Sequence, residues 1–128
     1  MKIEHFAYQA DDPAAVAQWY VDHLQCVIKR ASAPPGNARF LADSAGAVMM
    51  EIYNHPRLTT PDYRAMDSLL LHVAVSSEDP AADRDRLVAA GATLEEDFSV
   101  TKAGDALVML RDPWGFALQL VRRADPMI

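Results

Sequence analysis

A chain of 128 residues with half of them apolar is long enough for one packed domain, or for two small modules sharing a core, and too apolar for a disordered segment. Eighteen Asp and Glu against twelve Lys and Arg give a formal net charge of −6, which argues against nucleic acid and anionic membrane as partners. The single cysteine, Cys26, excludes an intrachain disulfide, and no apolar run approaches a membrane span or a secretion leader, so a cytoplasmic protein is expected.

Residues 2–9 alternate as a strand does, with Ile3, His5 and Ala7 on one face and Phe6 and Tyr8 on the other. Asp12-Pro13 opens a helix, since Asp is a favoured N-cap and Pro suits the first helical position. Val16, Ala17, Tyr20 and Leu24 follow as one apolar stripe, and His23 beside it reads as a surface histidine near the helix end. Residues 26–29 read as a short strand that buries Cys26. Residues 34–37 (Pro-Pro-Gly-Asn) read as a loop. Strands are expected over 39–42 and 47–53, joined as a hairpin around Ser44-Ala45-Gly46. In the second, Met49, Glu51 and Tyr53 share a face and Val48, Met50 and Ile52 take the other. Residues 54–68, with Pro56 and Pro61, form a connector long enough to serve as a lid or arm, and His55 lies in it.

The order then repeats. Residues 69–75 read as a strand, with Leu70, His72 and Ala74 on one face. Asp79-Pro80 caps a helix that ends before Gly91. Strands are expected over 93–100, 106–110 and 116–122, separated by turns at 102–105 and 112–115, and the tail from Ala124 is expected to be loose.

The repetition extends to individual residues. His5, Asp12 and Pro13 recur 67 positions later as His72, Asp79 and Pro80, and Glu51 recurs as Gln119 at an offset of 68. Self-similarity of this kind fixes the architecture. The expected fold is α+β: two tandem βαβββ modules (about 1–53 and 69–123, with the connector at about 54–68) in one domain. They would form a curved, partly open mixed sheet with helices outside. On the strands that carry His5, Glu51, His72 and Gln119, the bulky apolar residues fall on the opposite face. The marked face is smaller and more polar and would line a pocket.

Histidine and carboxylate side chains on facing strands suit Ni, Zn, Fe, Mn or Co. A divalent ion would also account for Glu51 inside an apolar strand, where an unpaired carboxylate is costly. The alternative is a pair of structural histidines, each bonded to a carbonyl, with an edge-strand glutamate. Tyr53, Tyr63 and Trp114 are candidate walls of a substrate pocket, or packing residues. Arg39 and Arg111 are candidate holders of an anionic substrate, or solvated surface arginines. No nucleophile elbow or phosphate-binding glycine loop is present.

These residues resemble the vicinal oxygen chelate superfamily, which includes glyoxalase I, bleomycin-resistance proteins and extradiol dioxygenases. The likeness rests on the paired βαβββ order, His5, Glu51 in Glu-Ile-Tyr-Asn, His72 before an Asp-Pro helix cap, and the segment 112–120, Asp-Pro-Trp-Gly-Phe-Ala-Leu-Gln-Leu. It implies a divalent metal held by His5, Glu51, His72 and the residue at 119. Glu51 would be both ligand and catalytic base, and the chain a homodimer with two sites. At 119 the family has glutamate and this chain has glutamine, which removes a charge and a potential base and points away from the glyoxalase I reaction itself. Two functions follow from the resemblance. One is a metal-dependent lyase or isomerase acting on a small oxygenated substrate. The other is a metal-free protein that sequesters a drug or aromatic compound.

Overall fold

The computed structural model of the chain describes residues 1–46 and 48–127, so Ala47, the expected start of a strand, and Ile128 lie outside the described residues. The chain divides into two units, Met1–Pro61 and Asp62–Ile128. Unit 1 runs β1 (His5–Gln9), α1 (Pro13–Leu24), β2 (Val27–Ala31), β3 (Arg39–Ala42) and β4 (Met49–Tyr53). Unit 2 runs β5 (His72–Ser76), α2 (Pro80–Ala89), β6 (Thr93–Val100), β7 (Ala106–Arg111) and β8 (Ala117–Arg122). Each unit is therefore the expected βαβββ module.

Their sheets have one topology. The strand order is β1-β4-β3-β2 in unit 1 and β5-β8-β7-β6 in unit 2. The histidine-bearing strand pairs parallel with the last strand of its own module, and the other pairings are antiparallel. Each sheet is thus mixed and open, with the histidine strand at one edge. A parallel pair needs a crossover connection, and the helix supplies it.

Both helices start as their sequences require. Asp12 accepts hydrogen bonds from the backbone N–H of Ala14 (3.2 Å) and Ala15 (3.1 Å). Asp79 accepts one, from Ala82 (3.1 Å). A proline at the first position of each helix lacks the N–H that would otherwise go unpaired. The helix-facing side of each sheet is its core: Tyr8, Leu41, Met50 and Ile52 are buried in unit 1, and Val108, Leu110, Leu118 and Leu120 in unit 2.

The structure corrects several element boundaries; β1, for one, starts at His5 and not at residue 2. Residues 69–71 are not strand. Asp67 takes the N–H of Leu69 on its side chain (2.9 Å) and that of Leu70 on its carbonyl (3.0 Å), so all three leucines lie in a turn, exposed. An aspartate that bonds the backbone two residues on competes with strand pairing, and here it wins. The second strand of unit 1 begins at Val27 and ends at Ala31, leaving Cys26 buried just ahead of it. Val48, assigned to the core face, precedes β4 and is exposed.

Cross-strand pairing also locates the length difference between the modules. Leu41 stands opposite Met50 as Leu110 stands opposite Leu118. The repeat offset is therefore 67 at the histidines, 69 at Leu41 and Leu110, and 68 at Glu51 and Gln119. Unit 2 gains two residues between helix and third strand and loses one in the next turn. That shorter turn is closed by Asp112, fully buried, whose carboxylate accepts from the N–H of Trp114 (3.0 Å) and of Phe116 (2.9 Å). Gly115 adopts φ +96° there, and the Arg64 side chain lies where its Cβ would be. Among the described residues no helix is long and apolar enough to cross a membrane.

Candidate functional site

In unit 1 the register sets Ala7 opposite Glu51 and His5 opposite Met49. His5 and Glu51 are thus diagonal neighbours on one face, close enough for long side chains to meet. The His5 Nε2 lies 3.4 Å from Glu51 Oε2, with side-chain exposures of 34% and 23%. The other ring nitrogen, Nδ1, is in close contact with Glu4 Oε2. Phe40 of β3, which pairs with Glu51, stands edge-on to the imidazole with ring centres 5.6 Å apart.

The chemistry of this cluster follows from donor counting. A carboxylate only accepts, so Nδ1 carries the hydrogen toward Glu4. In the neutral ring Nε2 is then a bare lone pair facing a second carboxylate. That arrangement calls for a positive charge, either a second proton on the ring or a cation shared with Glu51. The hydrogen bond that His5 donates to Glu4 is the largest influence on His5 and raises its pKa above the ordinary histidine value, with the charges of Glu4 and Glu51 acting in the same direction.

Unit 2 repeats the frame. Ala74 lies opposite Gln119 and His72 opposite Ala117. His72 and Gln119 are both half-buried. His72 Nδ1 lies 3.0 Å from the backbone carbonyl oxygen of Ser68. A carbonyl likewise only accepts, so this nitrogen also carries the hydrogen and leaves Nε2 free as a lone pair. Both histidines thus have Nδ1 occupied by a neighbour earlier in the chain and Nε2 available.

Within neither unit do three or more His, Cys, Asp or Glu side chains gather closely enough to hold a metal among the described residues. Each unit by itself offers donor types that metals accept: an imidazole and a carboxylate in unit 1, an imidazole and an amide oxygen in unit 2.

The aromatic candidates differ in placement. Tyr53 is half-buried on β4, two residues beyond Glu51 on the same face. Tyr63 is buried and packs edge-on to Phe116, with ring centres 5.0 Å apart. Trp114 is half-buried in the 112–115 turn. His23 packs its ring against Trp19 at 5.2 Å, and His55 Nδ1 accepts from the N–H of Arg57 at 3.3 Å.

Neither arginine is a solvated surface cation. Arg39 donates Nη1 to the carbonyls of Ser32, Asn37 and Ala38, tying down its own loop. Arg111 is buried and grips Glu95 with two hydrogen bonds (2.5 and 2.7 Å). Sequence reading missed Glu4, Ser68 and Glu95. Only Glu4 left a trace, as the immediate neighbour of the strand histidine. Ser68 and Glu95 meet their partners through chain folding that no local pattern encodes.

The chain belongs to the glyoxalase-like domain family, whose match runs over residues 5–121. No curated protein matches it. Among solved structures it is similar to a glyoxalase family protein from Bacillus cereus (13% identity, TM-score 0.79, covering 98% of this chain and 95% of that one). It is also similar to a glyoxalase I mutant from Zea mays (18%, TM-score 0.77, covering 97% of this chain and 46% of that one, so this chain spans about half the plant protein). A third is TnmS3, an antibiotic binding protein from Streptomyces sp. CB03234 (16%, TM-score 0.72, covering 97% of both chains). At such identities the likeness speaks for the fold, which is that of the glyoxalase and bleomycin-resistance proteins, consistent with the vicinal oxygen chelate superfamily.

Proposed function

We propose that the chain is a metal-dependent enzyme of the lyase or isomerase type, acting on a small oxygenated substrate. The proposed ligands are His5, Glu51, His72 and Gln119, for a divalent ion of the Ni, Zn, Fe, Mn or Co group. One observation carries the reading: both histidines sit at the same address of their modules, each with Nδ1 against an acceptor, so that Nε2 is the nitrogen left to ligate. An imidazole so fixed presents Nε2, one of the two ring nitrogens through which histidine binds metals. The lone pair of His5 facing Glu51 across 3.4 Å is where a cation would relieve the repulsion of two acceptors.

When bound, such an ion acts as a Lewis acid on the substrate's vicinal oxygens. The chain's own part would be orientation by the two imidazoles and proton transfer at Glu51 Oε2. Gln119 offers an amide oxygen but no base, so one carboxylate rather than two would handle protons. Closure by a second copy to give a cytoplasmic homodimer with two sites accords with the open edges of both sheets.

Gln119 also favours a second reading, in which the protein binds a small aromatic compound without metal, with Tyr53, Tyr63 and Trp114 as walls. The antibiotic binding protein TnmS3 has a similar fold. Elemental analysis of untagged protein after dialysis separates the two. Near-stoichiometric metal that disappears in His72→Ala supports the enzyme; no metal in either protein, with tight binding of a small aromatic, transfers the assignment to the binding protein.

A further inference from the structure

The two modules differ at the far end of their polar faces. Gln9 stands opposite Tyr53 in unit 1, and Ser76 opposite Val121 at the matching address of unit 2. The Gln9 side chain is buried and holds the chain beyond β4 against it, donating to the carbonyl of Leu58 (2.9 Å) and accepting from the N–H of His55 (3.3 Å). Serine and valine are smaller and reach less far. At this end of unit 2 lies an open cavity of about 450 Å³, within the size range of small-molecule sites.

Its apolar lining is Val121 of β8 with Pro126 and Met127 of the tail. That tail, expected to be loose, is tied at its root. Asp105 accepts from Arg123 Nη1 on one carboxylate oxygen (2.7 Å) and from the N–H of Ala124 on the other (3.0 Å). Ser76, Glu78 and Arg122 add polar groups to the lining.

Charge decides what such a cavity would take. Arg123, which also lines it, is matched by Asp105. Glu78 precedes the N-cap Asp79 of α2, where the partial positive charge of a helix start favours a carboxylate. Arg122 donates Nη1 to the backbone carbonyl of Glu78 (3.2 Å) and pairs with no carboxylate among the described residues. A guanidinium carries five N–H donors in a fork that matches a carboxylate, so most of its donors remain for a ligand.

We propose that this cavity binds a small organic carboxylate with an apolar body. The carboxylate meets Arg122, and the body lies against Val121, Pro126 and Met127. Val121 is two residues beyond Gln119 on the same face, roughly 7 Å along the strand, so the cavity adjoins the His72–Gln119 face without depending on its chemistry.

The test is carbon-13 NMR of methionine-methyl-labelled protein titrated with 3-phenylpropionate to about 10 mM, a range that detects millimolar binding. The Met127 signal is assigned by its loss in Met127→Leu. It is expected to shift saturably, with a Kd of about 1 mM or tighter. Arg122→Gln should weaken binding at least about tenfold, as loss of a charge-assisted hydrogen bond does. Phenethylamine, which carries the same body with the opposite charge, should bind at least about tenfold more weakly than the acid. Val121→Tyr and Ser76→Gln, which introduce the side chains that unit 1 has at these addresses, should abolish the shift. Ser76 is exposed, so Ser76→Gln serves if Val121→Tyr does not fold. A Met127 signal that never moves, equal binding of the amine, or undiminished binding in folded Arg122→Gln or Ser76→Gln overturns the proposal. Metal content is read separately: carboxylate binding by metal-free protein keeps the cavity whatever the fate of the metal reading.

Discussion

Gln119 occupies in unit 2 the place that Glu51 occupies in unit 1: each stands directly opposite an alanine, Ala74 or Ala7, two residues beyond the strand histidine. The chain therefore carries one charged and one neutral version of the same position.

Replacing Gln119 with glutamate restores the charge that the family's pattern has there. If the residue is a ligand, Gln119→Glu should tighten binding of Ni or Zn by about tenfold or more, since ligand charge count tunes the affinity of such sites. Calorimetric titration reads this directly, and an unchanged affinity removes Gln119 from the ligand set. Glyoxalase activity that appears only in this variant would mean that the natural protein has left that reaction.

The Arg111–Glu95 pair makes stability depend on pH in a definite direction. The hydrogen bond from Arg111 holds the Glu95 carboxyl below its ordinary range. A depressed folded-state value means that the contribution is complete above the unfolded value of about 4.3 and is lost as pH falls through the folded one. Glu95→Gln should cost about 2 kcal/mol at neutral pH, because it strands a largely buried guanidinium. It should also flatten the decline in stability below about pH 4. Urea unfolding across that range checks both.

Cys26 should be inert. Burial, helped by the charge of Asp43, pushes its thiol up to about 11. At neutral pH almost none is thiolate, the form that reacts. Native protein should resist alkylation by iodoacetamide and be labelled only on unfolding. Rapid labelling of the folded protein would contradict this burial.

At position 115 an added Cβ meets both a left-handed backbone and the Arg64 side chain. Gly115→Ala should therefore destabilise the fold by about 1–3 kcal/mol. Arg64→Ala in the same background would recover only the steric part. A melting temperature unchanged by Gly115→Ala would show that the turn can relax.

Helix capping supplies an internal comparison between the two modules. Asp12 satisfies two backbone N–H groups and Asp79 one. Each change to alanine should cost about 1 kcal/mol, with Asp12→Ala the larger. Equal losses would mean that the second bond at Asp12 contributes nothing.

The duplicated βαβββ order, both helix starts, and the strand faces that His5 shares with Glu51 and His72 with Gln119 were legible because each depends on residues near in sequence. Caps act within a turn of helix, and strand faces alternate with a period of two. The repeat then states that whatever holds for one module holds for the other. Strand starts were less legible: Leu69 and Leu70 looked like strand, and Asp67 claimed their backbone N–H groups.

Tertiary structure decided which nitrogen of His5 and of His72 faces an acceptor, that His5 meets Glu51, and that Arg111 is a buried clamp rather than a solvated cation. Arg111 meets Glu95 across 16 positions and Tyr63 across 48. Contacts of that span are brought together by sheet pairing and turn length, and composition and periodicity carry no record of them.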